Sequence, residues 1–397
     1  MSGRSPMSMM QPRPLPRRTA PRSGRRLWPF VLPAALVLVA GGWTWLWFYA
    51  ANIAGDAEAS WIAREAALGR VYACGSQSIG GFPFSIISRC DRAAATFKSN
   101  NPPFDVHAGN VTFSAQVFRP TILHGEITGP VTLADPGQQP VFVANFSDAN
   151  LSLLGLPPEP QAITVTVQKP RLDRVRGPGS GLIFQADAVD VAGRIIAGSA
   201  RNHPVIEATG HFAGATAPTF HPLLAEPLQG DVDFVMRGFA DFSPKPWPAL
   251  FREMAASGGG IEIKSVRIER PDSIIVGTGQ LTVNAEGKLN GAVQLDVVGI
   301  DAIVPKLGID QLIGQGIDRL TGGNGSADQG LNALDRLVPG LGGVVRQSAA
   351  SSVLENFKKM GRPTEVDKKP ALALPVRIND GVIYLGLIPL GIVPPLF

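Results

Sequence analysis

The sequence predicts a mainly β protein: a large antiparallel sheet, curved or folded into an open sandwich, behind one N-terminal transmembrane helix. Three observations predict it. Residues 28–50 form an apolar run without a charge. Ten later segments read as strands. Gly (45) and Pro (35) are spread along the chain of 397 residues, which suits short strands joined by turns better than a helical bundle.

The apolar run comes first in the chain. At about 1.5 Å per residue it spans roughly 35 Å, enough to cross a hydrocarbon core of ~30 Å. Pro29 and Pro33 sit in its first turns, where proline costs least. Trp43, Trp45, Trp47 and Tyr49 crowd its far end as an interfacial aromatic belt would. Seven arginines and no acid precede it in residues 1–27, and Asp56 is the first charge after it. The positive-inside rule then puts 1–27 in the cytoplasm and the rest across the inner membrane, in the periplasm. A cleaved signal peptide is the rival reading, with Ala57-Glu58-Ala59 as its cleavage site. Such a core is shorter and ends in small residues. This one is long and ends in bulky aromatics, which favours a retained anchor.

Residues 51–69 are rich in Ala and Glu, and Ala57, Trp61 and Leu68 can share one face. The spacing predicts a helical stalk that Gly69 ends. Residues 70–397 then form the β-rich domain. Its strand signals are 111–118, 130–135, 141–146, 162–168, 182–189, 204–212, 231–238, 261–269, 279–287 and 291–299. Several alternate apolar and polar residues, which implies antiparallel sheets with one apolar face. Glu286-Gly287-Lys288 and Asn379-Asp380-Gly381 read as hairpin turns. Segment 305–360 differs: Leu331, Leu334, Val338, Leu341 and Val345 recur at helical spacing, so short helices broken by glycine are expected there.

Cys74 and Cys90 are the two cysteines, 16 positions apart with Gly80-Gly81 between them. A hairpin would bring the thiols together, and the periplasm favours a disulfide. Closing that loop contributes roughly 3 kcal/mol in the chain-entropy model. A metal site would need two more ligands nearby, and a redox pair prefers C-x-x-C.

The tail also explains the net charge of +4. Without its seven arginines the chain carries 29 basic and 32 acidic residues, so the folded part is mildly acidic and has no basic face for nucleic acid. P-loop, H-E-x-x-H and G-x-S-x-G motifs are absent from the sequence. Neither GPGSG (177–181) nor GGNGSAD (322–328) has the spacing of a ligand-binding loop. His107, His124, His203, His211 and His221 lack a companion set of metal ligands, and carboxylates are scattered singly. The expectation is therefore no catalytic residue, no cofactor, no metal and no enzyme.

At the cysteine segment a family resemblance emerges. GGFPFSIISRCD (80–91) resembles the G-[FY]-P-F-x-x-x-x-x-C element of an uncharacterised bacterial family, domain of unknown function 2125. GTGQLTVNAEGKLNGAVQLDVVG (277–299) and the closing LPVRINDGVIYLGLIPLGIVPPL (374–396) fit the same family. The resemblance implies an anchored envelope protein and a fold, without an activity. The hairpin style is also similar, more weakly, to AsmA-like envelope proteins, which are associated with lipid handling. Two functions are expected from this. One is binding a lipid or another hydrophobic envelope component in a groove of the sheet. The alternative is a structural or assembly role, binding envelope proteins through sheet edges or through 305–360.

Thiol accessibility tests the disulfide directly. Thiol labelling of the exported protein under non-reducing conditions should find no free thiol, and two labelled thiols would exclude the bond.

Overall fold

A computed structural model of the protein describes residues 28–156, 159–243, 245–304, 355, 358–386 and 388–397. The arginine-rich tail lies outside them. So does the expected helical segment 305–360, apart from residues 355 and 358–360, which are helical. The chain divides into two units, Met1–Ala50 and Ala51–Phe397. Helix α1 (Trp28–Ala67) is unbroken, and among the described residues it is the one helix long and apolar enough to cross a membrane. In the first unit Trp45 stacks on Tyr49 one turn later, their ring centroids 5.6 Å apart.

The second unit is mainly β, as expected. Its first strands are β1 (Arg70–Ala73), β2 (Ser76–Gly80), β3 (Ser85–Asp91), β4 (Ala94–Phe97), β5 (Phe104–His107), β6 (Asn110–Gln116) and β7 (Arg119–Ile127). Then come β8 (Val131–Ala134), β9 (Phe142–Asn145), β10 (Asp148–Leu154), β11 (Ala162–Gln168), β12 (Arg171–Arg174), β13 (Gly181–Gln185) and β14 (Ala188–Ser199). The rest are β15 (Asn202–Ala215), β16 (Leu228–Arg237), β17 (Gly260–Arg270), β18 (Ser273–Val283), β19 (Leu289–Val298), β20 (Arg362–Val366), β21 (Lys369–Asn379), β22 (Val382–Leu385) and β23 (Ile388–Ile392).

All pairings are antiparallel and form two open sheets. The smaller has the order β1-β4-β5-β8-β9-β12-β13, and the larger begins β2-β3-β6-β7-β10-β11-β14 and runs on to β23. Each strand of the smaller sheet is joined, through two or three residues, to the strand at the same place in the larger. Seven chain passages therefore cross from one sheet to the other in matching order. The first crosses at Cys74-Gly75, where the structure joins Cys74 to Cys90 on β3 with their Cα atoms 5.3 Å apart.

The larger sheet is two-faced. On β10, β11 and β14 one face carries Leu151, Val165 and Val191 in register, and the other carries Asn150, Thr166 and Asp190. The pattern persists across the sheet: Gly210, Val232, Val266, Gly277, Leu295 and Leu374 follow in register on the apolar face. The polar face holds ion pairs, including Arg194 and Lys264 on Glu207 and Arg237 on Glu262 at 2.7 Å. Hydrogen bonds from Lys264 and Arg194 hold the Glu207 carboxyl below its usual pKa.

Past β14 the larger sheet has no counterpart among the described residues, and short helices cover its apolar face. Ile300 and Ile303 of α3 (Ile300–Ile303) pack on Val297, Leu374, Val376 and Leu385. Met254 of α2 (Trp247–Ala256) packs on Ile206 and Val283. The loop before α2 is fixed by Lys245, which meets Asp241 at 2.9 Å and Glu253 at 2.5 Å. The Ser243 hydroxyl, then Lys245, lower the Asp241 pKa from 3.8 to about 2.

Three local expectations need correction. The stalk does not bury its Ala57, Trp61, Leu68 face; Ala51, Glu58, Ile62 and Glu65 are the better covered line. Gly55 beside that line lies close to Ile79 of β2, and Glu65 is paired with Arg70. Segment 182–189 is two strands, because the chain changes sheet at 186–187. Strand β18 ends at Val283, where Asn284 starts the turn by accepting the Glu286 and Lys288 N–H groups.

Two measurements follow from this packing. Leu385 is 0% exposed, so Leu385→Ala should cost about 2–5 kcal/mol in urea unfolding of the full chain in micelles, while Thr166→Ala on the polar face shifts it by under about 0.5 kcal/mol. The Asp241 carboxyl titrates lower folded than unfolded, so its contribution is present above about pH 4 and lost as pH falls through about 2. Asp241→Asn should therefore lower stability at pH 7 and converge on wild type in strong acid.

Candidate functional site

The site is the crease where the two sheets share strands. Its chemistry follows from side-chain period. In the larger sheet Ala149, Leu151 and Leu153 of β10 face one way, beside Val167, Val165 and Ile163 of β11. On the other side Gly125 and Leu123 of β7 pair with Leu151 and Leu153. In the smaller sheet Val131, Ala144, Leu172 and Phe184 align in register across four strands. The apolar faces of both sheets meet over a cavity of about 450 Å³. Val131, Ala144 and Leu172 line it from one sheet, and Leu151, Val165 and Val167 from the other.

This wall stays partly open to solvent. Ile127 is 37% exposed, Ile163 36% and Val191 46%, all on the apolar face. Further along, Phe184 packs on Ala186, Ala215 and Leu228 and narrows the crease. At its start the second half of α1 fills it. Trp61 stacks obliquely on Tyr72, ring centroids 4.9 Å apart, against the smaller sheet. Glu58 accepts the Ser88 hydroxyl at 2.9 Å from the larger sheet. The Glu65 carboxylate and Arg70 form a buried pair at the helix end. Burial raises the Tyr72 pKa, so its ring stays neutral.

Charge appears at the lip. Arg171 binds Asp173 through two nitrogens, each at 2.8 Å, which raises the Arg171 pKa. Arg174 lies over the Phe142 ring at 5.1 Å and donates to the Pro178 carbonyl at 2.8 Å. Its Nε is buried with no hydrogen-bond partner among the described residues.

The residues singled out in the sequence fall elsewhere. Cys74 and Cys90 clamp the first crossing and are not part of the cavity wall. His211 meets Asp231 at 2.8 Å on the polar face, and His203 meets Asn202 at 2.9 Å. His221 caps a short helical turn by accepting the Leu223 N–H at 3.1 Å. Among the described residues no cluster of three or more His, Cys, Asp or Glu could hold a metal. GPGSG is the turn between β12 and β13, with Gly177 and Gly179 at positive φ. GGNGSAD lies outside the described residues.

The crease was not singled out from the sequence, because strands β10 and β12 were missed. The signal was there in Asp148-Ala-Asn-Leu-Ser-Leu-Leu154, which alternates polar and apolar residues.

A family model described as "Uncharacterized protein conserved in bacteria (DUF2125)" matches residues 47–394. No curated protein matches the chain, so the likeness to AsmA-like proteins gains no support.

Proposed function

We propose a function for a chain that belongs to the DUF2125 family of bacterial proteins: it is held in the inner membrane by α1, and its periplasmic domain binds the apolar chain of a lipid in the crease. The single observation that carries this is the meeting of two apolar sheet faces over an open cavity of about 450 Å³. That volume lies in the range of sites for small apolar ligands, roughly 300–1,000 Å³. The partly exposed Ile127, Ile163 and Val191 extend the apolar surface beyond the cavity, as an extended chain requires. Arg174, over the Phe142 ring on the smaller sheet, is the cation we assign to an acidic headgroup. The role we read here is binding, in keeping with a described wall that is apolar apart from Asn145, Asn150 and Arg171. Orientation follows from the arginines of 1–27, which hold the N-terminus in the cytoplasm.

The test feeds cells a photoactivatable fatty acid that enters their lipids, irradiates them and maps adducts on the full chain. Adducts are expected on peptides of 142–153 and 162–172. Val165→Asp, which puts a charge in the wall, should reduce them about tenfold or more. Adducts confined to 28–50, or protein crosslinks in place of lipid adducts on the crease peptides, would overturn the reading, the latter in favour of an assembly role.

A further inference from the structure

We infer that the turn end of the larger sheet beside α1, carrying Phe82, Phe84 and Phe118, rests in the headgroup region of the bilayer. This rests on the anchor reading above and is independent of lipid in the crease.

The three rings form one group. The turn between β2 and β3 holds Phe82-Pro83-Phe84, and the turn between β6 and β7 holds Phe118. The Val117 N–H donates to the Phe84 carbonyl at 3.0 Å and joins the two turns. The rings of Phe84 and Phe118 lie 6.1 Å apart between centroids. Phe82 is 52% exposed, Phe84 60% and Phe118 67%.

The direction of α1 along the sheets shows which way this end points. A side chain at Gly55 would meet Ile79 at 3.1 Å. One turn on, Glu58 meets Ser88, which pairs with Ile79. Then Trp61 meets Tyr72, and Glu65 meets Arg70. As the helix advances from Gly55 to Glu65, its partners recede along the chain from Ile79 to Arg70. The helix therefore runs antiparallel to β1 and β2. Its earlier end, toward Ala51, points the same way as the turn that follows β2.

Chain length sets the level. Gly55 is five residues past the apolar run, about 8 Å of helix. Phe82 is three residues past Ile79, about 10 Å of strand. The turn thus reaches back to about the level of Ala51 on the helix. Headgroups occupy roughly 5–7 Å on each side of the hydrocarbon.

The chemistry fits that level. Residues 76–88 carry no charge, and Gly81 takes φ +101°, which lets the chain double back and hold both phenylalanines at the tip. Exposed aromatics at a bilayer surface bury apolar area without leaving the interface. Arg119 follows Phe118, where a cation meets lipid phosphate.

The test places p-benzoylphenylalanine at single positions of the full chain in native membranes and identifies photo-adducts by mass. Trp45→p-benzoylphenylalanine reports on the anchor. Phe84→ and Phe118→p-benzoylphenylalanine report on the turn end. Phe220→p-benzoylphenylalanine is the control: it is 71% exposed and lies past the opposite end of β15. Lipid adducts at Trp45, Phe84 and Phe118 with none at Phe220 are the expected result. Lipid at Trp45 alone overturns the inference and leaves the anchor standing. No lipid at Trp45 overturns both, and equal yield at Phe220 overturns the inference.

Discussion

Everything in the β domain depends on side-chain period being kept in register from strand to strand. A slip of one residue in any pairing would turn that strand's apolar set toward water. From Ser88 and Phe113 at one end to Val376 and Leu385 at the other, the residues on the apolar face meet their neighbours without a net slip. Bulges occur, as at Asp233/Phe234 and Ile263/Val266, yet the face is recovered after each. Burial along the rear half and the open crease along the front half are two uses of one surface.

The second constraint is how a strand leaves one sheet for the other without orphaning its backbone. Several crossings use residues that cannot continue a ladder. Arg92 and Lys169 take positive φ, at 51° and 49°. Pro130 and Pro170 have no N–H to offer. The freed groups are satisfied across neighbouring crossings: Arg92 donates to the Gly109 carbonyl at 2.6 Å, Lys169 to Asp187 at 2.8 Å and Ala186 to Pro170 at 3.0 Å. The fold is therefore creased rather than broken, and the hydrogen-bond network runs through the bend. The Cys74–Cys90 bond adds a covalent tie at the first crossing.

Much of this was legible in the sequence, and what was missed has physical causes. Strand 162–168 has the bounds of β11, and the turns at Gly287 and Gly381 are where glycine placed them. Strands rich in β-branched residues, such as β11, announce themselves. The four-residue strands β1, β4, β5 and β12 do not, because so few residues show no period. Their stability comes from neighbours in the sheet, which sequence-local reasoning does not see. The crossing at Ala186-Asp187 was invisible for the opposite reason: 182–189 reads as one smooth strand, and pairing partners decide where it bends. The crease inherited the first of these through β12, which supplies one wall, while β10, which supplies the other, carried an alternation that was passed over.

The matched order of the two sheets has an evolutionary consequence. Each added pair of crossing strands touches only the pair before and the pair after, as units do in a solenoid. A duplication of one such stretch, for instance the chain from β8 through β11, would insert between neighbours without disturbing the helices that close either end. The trough can thus lengthen by whole repeats at a cost paid only at the two new seams. A fold of this kind sets its reach by copy number, and relatives of very different length can keep the same cross-section.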